Sequence, residues 1–424
     1  MQNTKNMKIL AICHQWPNPN TTAAAIHFID LLRFFKERFG AVIHGVSIAK
    51  KIDAHDHLDP FLNTITQLGL NDTTFQDYLL RNSGFDIVLF DRFITYEQFA
   101  WQVTDHIPKA LKILDTEDLH FLRKDRQKKQ RSTTNSNDTK EIPISELAKR
   151  ELACIFKADL SLIISKFEYQ LLINEYQVPK EQLLYLPLLS NNNDFCVENL
   201  PKYDARKDLI FVGNFLHDPN ADAVMLLKKH IWPKLSKKMP NVSLHIYGAY
   251  PKPHHLGLTQ KKDRFFVHGF VEDINEKVRN ARLMIAPISF GAGQKGKLLT
   301  AMENGTPSVT TSLGAEAMQF GRSWPGAISD NWQDFITKTQ VLYNFKEQWQ
   351  LAQSHISPLL EAHFNKQTYY DIFKRSIDIL LLDIDSHRSK NVVGAILEYH
   401  AYKSSKYMSL WIKEKNQSEK SDAI

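Results

Sequence analysis

Three glycines and two lysines lie close together within residues 290–318 of this 424-residue chain, where a predicted strand leads into a predicted helix. These residues are Gly291, Gly293, Gly296, Lys295 and Lys297. Free backbone amides at a helix N-terminus, combined with ammonium groups, bind phosphate groups well. A solvated surface loop is the alternative interpretation. The coincidence of glycines, lysines and a helix start at a strand end favours a diphosphate site.

Other strand ends in the second half of the chain supply further candidates for the same site. Predicted strands run into Gly213 and Asn214 and into Gly248, Thr300 lies on the helix after the lysines, and Glu316 follows the next strand. Ligands bind at the carboxyl ends of the strands in open parallel α/β sheets. We therefore assign these five residues to substrate binding, although a lone glycine after a strand also makes an ordinary turn.

A dense set of charged residues follows a predicted strand in the first half, in the stretch DTEDLHFLR at 115–123. We predict that Asp118 and His120 act at the reacting group, with Arg123 as their electrostatic partner. A charged surface loop is the alternative. The pair at 91–92 follows another apolar strand and is a second, weaker candidate for the same cleft.

Two series of alternating strand-like and helix-like segments position these groups. Continuous apolar runs such as FDIVLF at 85–90 are typical of strands covered on both faces. Strands separated by helical patterns predict βαβ units and parallel sheets. We predict an α/β fold with two Rossmann-like domains whose sheets face each other across a cleft. The predicted parts are an N-terminal domain at 1–190, a linker at 191–207, a C-terminal domain at 208–384 and a polar helical extension at 385–424.

One polar stretch interrupts the first series. Residues 123–143 carry no apolar periodicity, and we predict a surface loop there. The helical pattern resumes at 144–156, with Ser145 as its predicted N-cap.

Composition limits the class of protein. Hydrophobic residues make up 43% and charged residues 24% of the chain, as in soluble globular proteins. Its three cysteines form no CxxC pair, which favours a reducing cytoplasm. The net charge of +6 comes without the aromatic-interleaved pattern of RNA-binding domains, so we expect no nucleic acid partner. The basic tail is expected to dock on the body, with a peripheral contact to the inner face of the membrane as the alternative.

The segment GAGQKGKLLTAMENGTPSVTT at 291–311 resembles the donor site of the retaining glycosyltransferases of family 4 (group 1), which have the GT-B fold. VGNFLHDPNADAV at 212–224 is similar to one branch of that family. The resemblance covers roughly 7–380 and is strongest across 208–318. It implies transfer of a sugar from a nucleoside-diphosphate-sugar donor to an acceptor hydroxyl, with retention, no obligatory metal and no cofactor. The acceptor stays open between polysaccharide, lipid-linked glycan and protein.

The chain departs from the family pattern at both of its paired glutamates. Thr300 stands where the family has the glutamate that binds the donor ribose, and Ala292 stands eight positions earlier, where it has the other acid. Glu303 and Glu316 lie near but do not match the motif.

Two further departures concern the phosphates. Asn214 and Asn220 occupy the places of a usual arginine and lysine, so we expect Lys295 and Lys297 to carry the phosphate contacts. These departures leave a non-catalytic sugar- or nucleotide-binding relative open as an alternative, and a nucleotide-sugar epimerase of the same fold is another. A nicotinamide dehydrogenase is disfavoured because no GxGxxG follows the first strand.

Overall fold

The computed structural model describes residues 6–50, 58–70, 72–131, 144–190 and 199–421, with side chains beyond 400 described only at 407, 408, 410–412 and 415. The chain forms two parallel sheets, one of seven strands and one of six. This confirms the predicted α/β fold of two parallel-sheet domains. No helix among the described residues is long and apolar enough to cross a membrane.

The first sheet has the strand order β3-β2-β1-β4-β5-β6-β7 and is covered by helices on both faces. Its strands are β1 (Lys8–Cys13), β2 (Val42–Ser47), β3 (Thr64–Gln67), β4 (Ile87–Asp91), β5 (Leu111–Asp115), β6 (Leu160–Ile163) and β7 (Leu183–Tyr185). The helices between them are α1 (Ala23–Phe39), α2 (Thr74–Arg81), α3 (Arg92–His106), α4 (His120–Arg131), α5 (Glu146–Lys157) and α6 (Lys166–Asn174).

The second sheet has the strand order β10-β9-β8-β11-β12-β13. Its strands are β8 (Lys207–Val212), β9 (Leu244–Tyr247), β10 (Phe265–Gly269), β11 (Ala281–Ala286), β12 (Ser308–Thr310) and β13 (Gly326–Ile328). Its helices are α7 (Asp218–Leu226), α8 (Trp232–Lys238), α9 (Pro253–Leu256), α10 (Ile274–Asn280), α11 (Gly296–Glu303), α12 (Ser312–Ala315), α13 (Trp332–Asn344), α14 (Lys346–Ser354) and α15 (Ile356–His363). Three more helices follow, α16 (Lys366–Leu382), α17 (Ile384–Lys390) and α18 (Val392–Ser421).

The prediction of a surface loop at 123–143 is wrong for residues 123–131, because α4 continues to Arg131. Only Phe121 and Gln127 of this helix are buried, so it has no apolar stripe for a sequence pattern to reveal. The carboxylate of Glu151 accepts the amides of His120 and Phe121 and thereby stabilises its first turn. Residues 132–143 lie outside the described residues.

Ser145 caps α5 as predicted, since its hydroxyl accepts the amide of Ala148 at 3.2 Å. Two short strands, β3 and β13, were not predicted. In β3 the side chains are exposed or only half-buried, so its sequence TITQ lacks the apolar run that marks a central strand.

The C-terminal helices return to the first sheet. On α16, Phe373 stacks on Phe34 of α1 at 4.4 Å between ring centroids. On α17, Arg388 makes two bonds of 2.7 and 2.6 Å to the buried carboxylate of Asp159, next to β6. Helix α16, predicted as part of the C-terminal domain, thus contributes to the core of the first sheet. The predicted domain boundaries stay predictions, and 191–198 of the predicted linker lie outside the described residues.

Replacing Arg388 by Ala is expected to destabilise the first sheet by about 2 kcal/mol, because Asp159 would keep its buried position without its cation. The measurement is the urea midpoint followed by circular dichroism. Lys390→Ala, an exposed position on the same helix, is the matched control and should leave the midpoint unchanged. Equal midpoints for the Arg388 variant and the wild type would contradict this role.

Candidate functional site

A cavity of about 700 Å³ lies between the carboxyl ends of the two sheets. Residues that follow β4 and β5 form one wall, and residues that follow β8, β9 and β11 form the other. Parallel strands bring their carboxyl ends to one edge of a sheet, so each domain presents its βα loops to the same space. The loop at 17–25 lines the cavity as well.

Lys295 is the N-cap of α11 and lines the cavity while remaining only 7% exposed. Its Nζ donates to the carbonyl oxygen of Gly293 at 2.7 Å. Burial lowers the pKa of Lys295, although the nearby carboxylates of Glu316 and Glu168 act in the opposite direction. A buried cation at a helix N-terminus is suited to an anionic ligand group.

Lys297 lies in the first turn of α11 and also lines the cavity. Burial and the neighbouring charge of Lys295 lower its pKa to about 7. An anion that binds here stabilises the protonated form of both lysines, because an opposite charge favours the charged state.

Two predicted glycines of the second sheet, Gly213 and Gly248, line the cavity and pack against each other. A Cβ at Gly248 would lie 1.9 Å from the carbonyl oxygen of Gly213, so only glycine fits there. Asn214 lies beside them on the cavity wall, and its side-chain amide reaches the carbonyl of Thr21 at 3.5 Å across the cleft.

The glycines of the lysine loop differ in position. Gly291 lines the cavity, whereas Gly293 lies beneath it against the N-terminal domain. The amide of Gly293 donates to the carboxyl group of Glu168 on α6. Its φ is +64°, and a Cβ would approach the Cβ of Asp118 to 2.8 Å. Gly293 therefore allows the loop to pack closely against the facing domain.

The predicted trio of Asp118, His120 and Arg123 is brought together on the cavity wall. Arg123 forms an ion pair with Asp118, and His120 Nε2 lies 3.5 Å from Asp118 Oδ1. Burial raises the pKa of Asp118, but Arg123, His120 and His217 outweigh it and hold this pKa well below its usual range. Burial lowers the pKa of His120 to about 4, so its imidazole is neutral at neutral pH.

His217 completes this cluster from the opposite domain. It lines the cavity at the start of α7, and burial together with the charge of Arg123 lowers its pKa to about 3. The sequence pattern at 211–220 marked a strand end but gave no reason to prefer this histidine over a turn residue.

Of the two remaining predicted residues, Thr300 lies in the cavity lining and Glu316 lies outside it. Thr300 lines the cavity together with Glu303, one turn further along α11, whose carboxylate accepts the Ser190 hydroxyl at 3.0 Å. Glu316 does not line the cavity. Its two oxygens accept bonds of 2.7 and 2.9 Å from Arg126 on α4.

Helix α4 crosses the cleft, which the sequence did not indicate. Arg126 also donates to the carbonyl oxygen of Gly291 at 2.8 Å, and Lys124 and Gln127 both bond to Asp218 at the start of α7. The composition of this stretch predicts a loop, and a loop prediction gives these side chains no partner across the cleft. Among the described residues, no group of three or more histidines, cysteines or acids is placed to hold a metal ion.

Known proteins are similar to this chain in two ways, in the sequence of the domain that carries the lysines and in the fold. Residues 206–344 match the family model described as "Glycosyl transferases group 1". No curated protein sequence matches the chain.

Solved structures match over nearly the whole chain. Sucrose-phosphate synthase from Thermosynechococcus elongatus has a TM-score of 0.66 at 16% identity, covering 89% of this chain and 99% of that one. Anabaena Alr3699/HepE, in complex with UDP and glucose, has a TM-score of 0.65 at 14% identity, covering 88% and 100%. The pneumococcal O-GlcNAc transferase GtfA, in complex with UDP and GlcNAc, has a TM-score of 0.62 at 11% identity, covering 89% and 99%. These likenesses confirm the predicted GT-B fold.

The cavity is expected to bind pyrophosphate with uptake of a proton at Lys297. Because the pKa of Lys297 in the free protein is about 7, the advantage of wild type over Lys297→Met should fall as pH rises above about 7. The fall should approach tenfold per pH unit until the pKa in the complex is reached.

Isothermal titration calorimetry between about pH 6 and about pH 9 measures this advantage. Taking the ratio of the two affinities at each pH cancels the ionisation of pyrophosphate itself. Lys297→Arg should keep a constant advantage over Met, since arginine stays charged throughout. A pH-independent wild-type advantage would contradict the assignment.

Proposed function

We propose that this protein is a retaining glycosyltransferase, because residues 206–344 match the family model of the group 1 glycosyl transferases. It transfers a sugar from a nucleoside-diphosphate-sugar to an acceptor hydroxyl in glycan or glycoconjugate biosynthesis. The carrying observation is the pair Lys295 and Lys297 at the N-terminus of α11, which faces Asp118 and His120 across one cavity.

The donor diphosphate binds at α11. When the bond between the anomeric carbon and the phosphate oxygen breaks, its electron pair moves to the diphosphate. The two lysines and the free amides of α11 stabilise the negative charge that develops there. The position of the cavity between two domains limits the access of water, and this strengthens the interaction.

The acceptor side needs no strong side-chain base. His120, with a pKa of about 4, is a poor proton acceptor at neutral pH, and the carboxylate of Asp118 is already bound to Arg123. The acceptor oxygen forms its bond on the face that the diphosphate leaves, and a phosphate oxygen takes the acceptor proton. Asp118 and His120 then orient hydroxyl groups of the donor sugar.

A uridine nucleotide is the first donor to test, because two similar structures carry UDP. At the ribose end, Thr300 and Glu303 share one face of α11 and both line the cavity. We propose that Glu303 supplies the carboxylate for the ribose hydroxyls, in place of the acid that the family has at position 300.

A thermal-shift screen against UDP-, GDP- and ADP-sugars tests the donor, since a ligand that binds the folded state raises the melting temperature. The bound donor is then incubated with candidate acceptors, and NMR of the product gives its anomeric configuration. Activity that persists in EDTA is expected, because the lysines supply the positive charge. Epimerisation of the donor without an acceptor would identify an epimerase instead.

Lys295→Met is expected to reduce turnover by about 10²-fold or more while the protein stays folded, because it removes a cation that acts on the leaving group. Lys338→Met on α13, which removes an exposed lysine far along the chain from the cavity loops, is the matched control and should keep full turnover. Absence of any turnover in the wild type, with nucleotide binding retained, would favour the non-catalytic relative, an outcome that Ala292 and Thr300 make worth testing.

We propose that the protein works in the cytoplasm and contacts the membrane through α18. On the body side of this helix, Glu398 accepts a bond of 2.7 Å from Lys112 of β5. On the other side, apolar side chains are exposed within an arc of about 100°, counted at about 100° per residue. They are Val392, Val393, Ile396, Tyr407, Leu410 and Trp411. The sequence at 403–415 contributes four lysines and one glutamate, a balance suited to an anionic lipid surface.

Trp411→Ser is expected to weaken cosedimentation with vesicles of phosphatidylglycerol and phosphatidylcholine, since Trp411 is 63% exposed and would insert at the interface. Leu351→Ser, an exposed apolar residue on α14, is the matched control. Equal binding of both variants would contradict a membrane contact. A wild-type dimer that Trp411→Ser dissociates would also contradict it, since the exposed apolar side chains of α18 would then bind a second copy of the chain.

A further inference from the structure

Two residues at neighbouring strand ends hold an unfavourable backbone conformation beside the cavity. Arg92, directly after β4, has a φ of +69°, and Glu117, two residues after β5, has a φ of +62°. The last residues of these strands, Asp91 and Asp115, are paired in register, so the two strained residues lie side by side. Residues with a Cβ rarely adopt this backbone conformation, and those that do are concentrated at functional sites.

The carboxyl groups here are buried and incompletely hydrogen-bonded. Glu117 is 6% exposed, lines the cavity, and its Oε1 has no hydrogen-bond partner among the described residues. Asp91 is 5% exposed and lines the cavity. Its Oδ2 accepts the amide of His14 at 2.9 Å, while Oδ1 lies 3.5 Å from Arg92 Nε without forming a hydrogen bond. A buried polar atom without a partner is costly, so a ligand that supplies one binds favourably.

The charges around these atoms select a neutral ligand. An anion would face Asp91 and the ionised Asp118, and a cation would face Arg92 and Arg123 on the same wall. Burial and the nearby Asp115 raise the pKa of Glu117 to about 8, so this side chain can donate as well as accept a hydrogen bond at neutral pH. Hydroxyl groups also donate and accept, so neighbouring hydroxyls match this set.

We propose that Asp91, Arg92 and Glu117 form a subsite for the vicinal hydroxyl groups of a neutral sugar, opposite the diphosphate-binding lysines. Its assignment as the place of the acceptor sugar rests on the proposed glycosyl transfer. The bond from Arg92 and the exchange of hydrogen bonds with Glu117 fix the orientation of the ring and distinguish epimers at these hydroxyls. A sugar that inverts one of them leaves a buried carboxyl oxygen unpartnered.

The test uses glycine variants, because glycine tolerates the positive φ at these positions. Glu117→Gly removes the carboxyl group and at the same time relieves the left-handed conformation, so its melting temperature should equal or exceed that of the wild type. Glu117→Gln keeps a side chain that donates and accepts, and should retain binding. Gln177→Gly, an exposed left-handed position with a φ of +55° far from the cavity lining, is the matched control.

The probes are methyl α-glucoside, methyl α-mannoside and methyl α-galactoside, observed by saturation-transfer NMR with UDP present. The wild type, Glu117→Gln and Gln177→Gly should bind one epimer in preference. Glu117→Gly and Arg92→Gly should bind it about tenfold more weakly, or without preference, since each loses one hydrogen bond. Unchanged affinity and preference in both glycine variants would overturn the subsite, as would a wild type that binds none of the three.

Two further readouts distinguish a sugar subsite from a structural role of Glu117 and separate its failure from a failure of the proposed transfer. A lower melting temperature for Glu117→Gly would overturn the subsite, because Glu117 would then stabilise the fold rather than await a ligand. Hydrolysis of the donor to free sugar should stay within about twofold of wild type in the control Gln177→Gly, since that position lies outside the cavity lining. A wild type that hydrolyses no donor yet discriminates the hexosides contradicts the proposed transfer and supports the subsite.

Discussion

The contact between the lysine loop and the N-terminal domain is the constraint on which the cavity depends. The carboxyl group of Glu168 accepts the amides of Gly293 from one domain and Leu119 from the other. Burial, together with the charge of Asp118, raises the pKa of Glu168 to about 8, so it joins both loops with little net charge at neutral pH. Because Lys295 donates to the carbonyl of Gly293, this contact also fixes the cation at the start of α11.

The two walls of the cavity differ in charge. The wall from the second sheet carries Lys295 and Lys297 at a helix N-terminus. Both the lysine charges and the helix dipole stabilise an anion there. The opposite wall is balanced, since Arg123 forms an ion pair with Asp118 and Arg92 lies beside Asp91. This difference in charge underlies the proposed placement of the diphosphate on the first wall and of the sugar hydroxyls on the second.

The sequence predicts this division only where the signal is local. Apolar runs locate the strands, and a parallel sheet brings their ends together, so Lys295 and Asp118 could both be found from their positions after a strand. The residues that bond to each other across the cleft could not be found from the sequence. Glu168 meets Gly293 over a separation of 125 residues, and Arg126 meets Glu316 over 190.

Local patterns mislead at both of these partners for a physical reason. Helix α4 contacts the facing domain through polar side chains, so the stretch around Arg126 has the composition of a loop. Glu168 occupies the first turn of α6, where an acid is common for its favourable interaction with the helix dipole. Nothing in either segment indicates a partner in another domain.

The absence of the paired glutamates has an electrostatic consequence at the diphosphate end. With Ala292 and Thr300 in their places, the residues that shift the pKa of Lys297 include no carboxylate, and burial and Lys295 lower it unopposed. A lysine in this state carries only part of a charge in the empty cavity and becomes fully charged when a diphosphate approaches. In place of the family's two acids, the chain thus has a lysine whose charge an anionic ligand would increase.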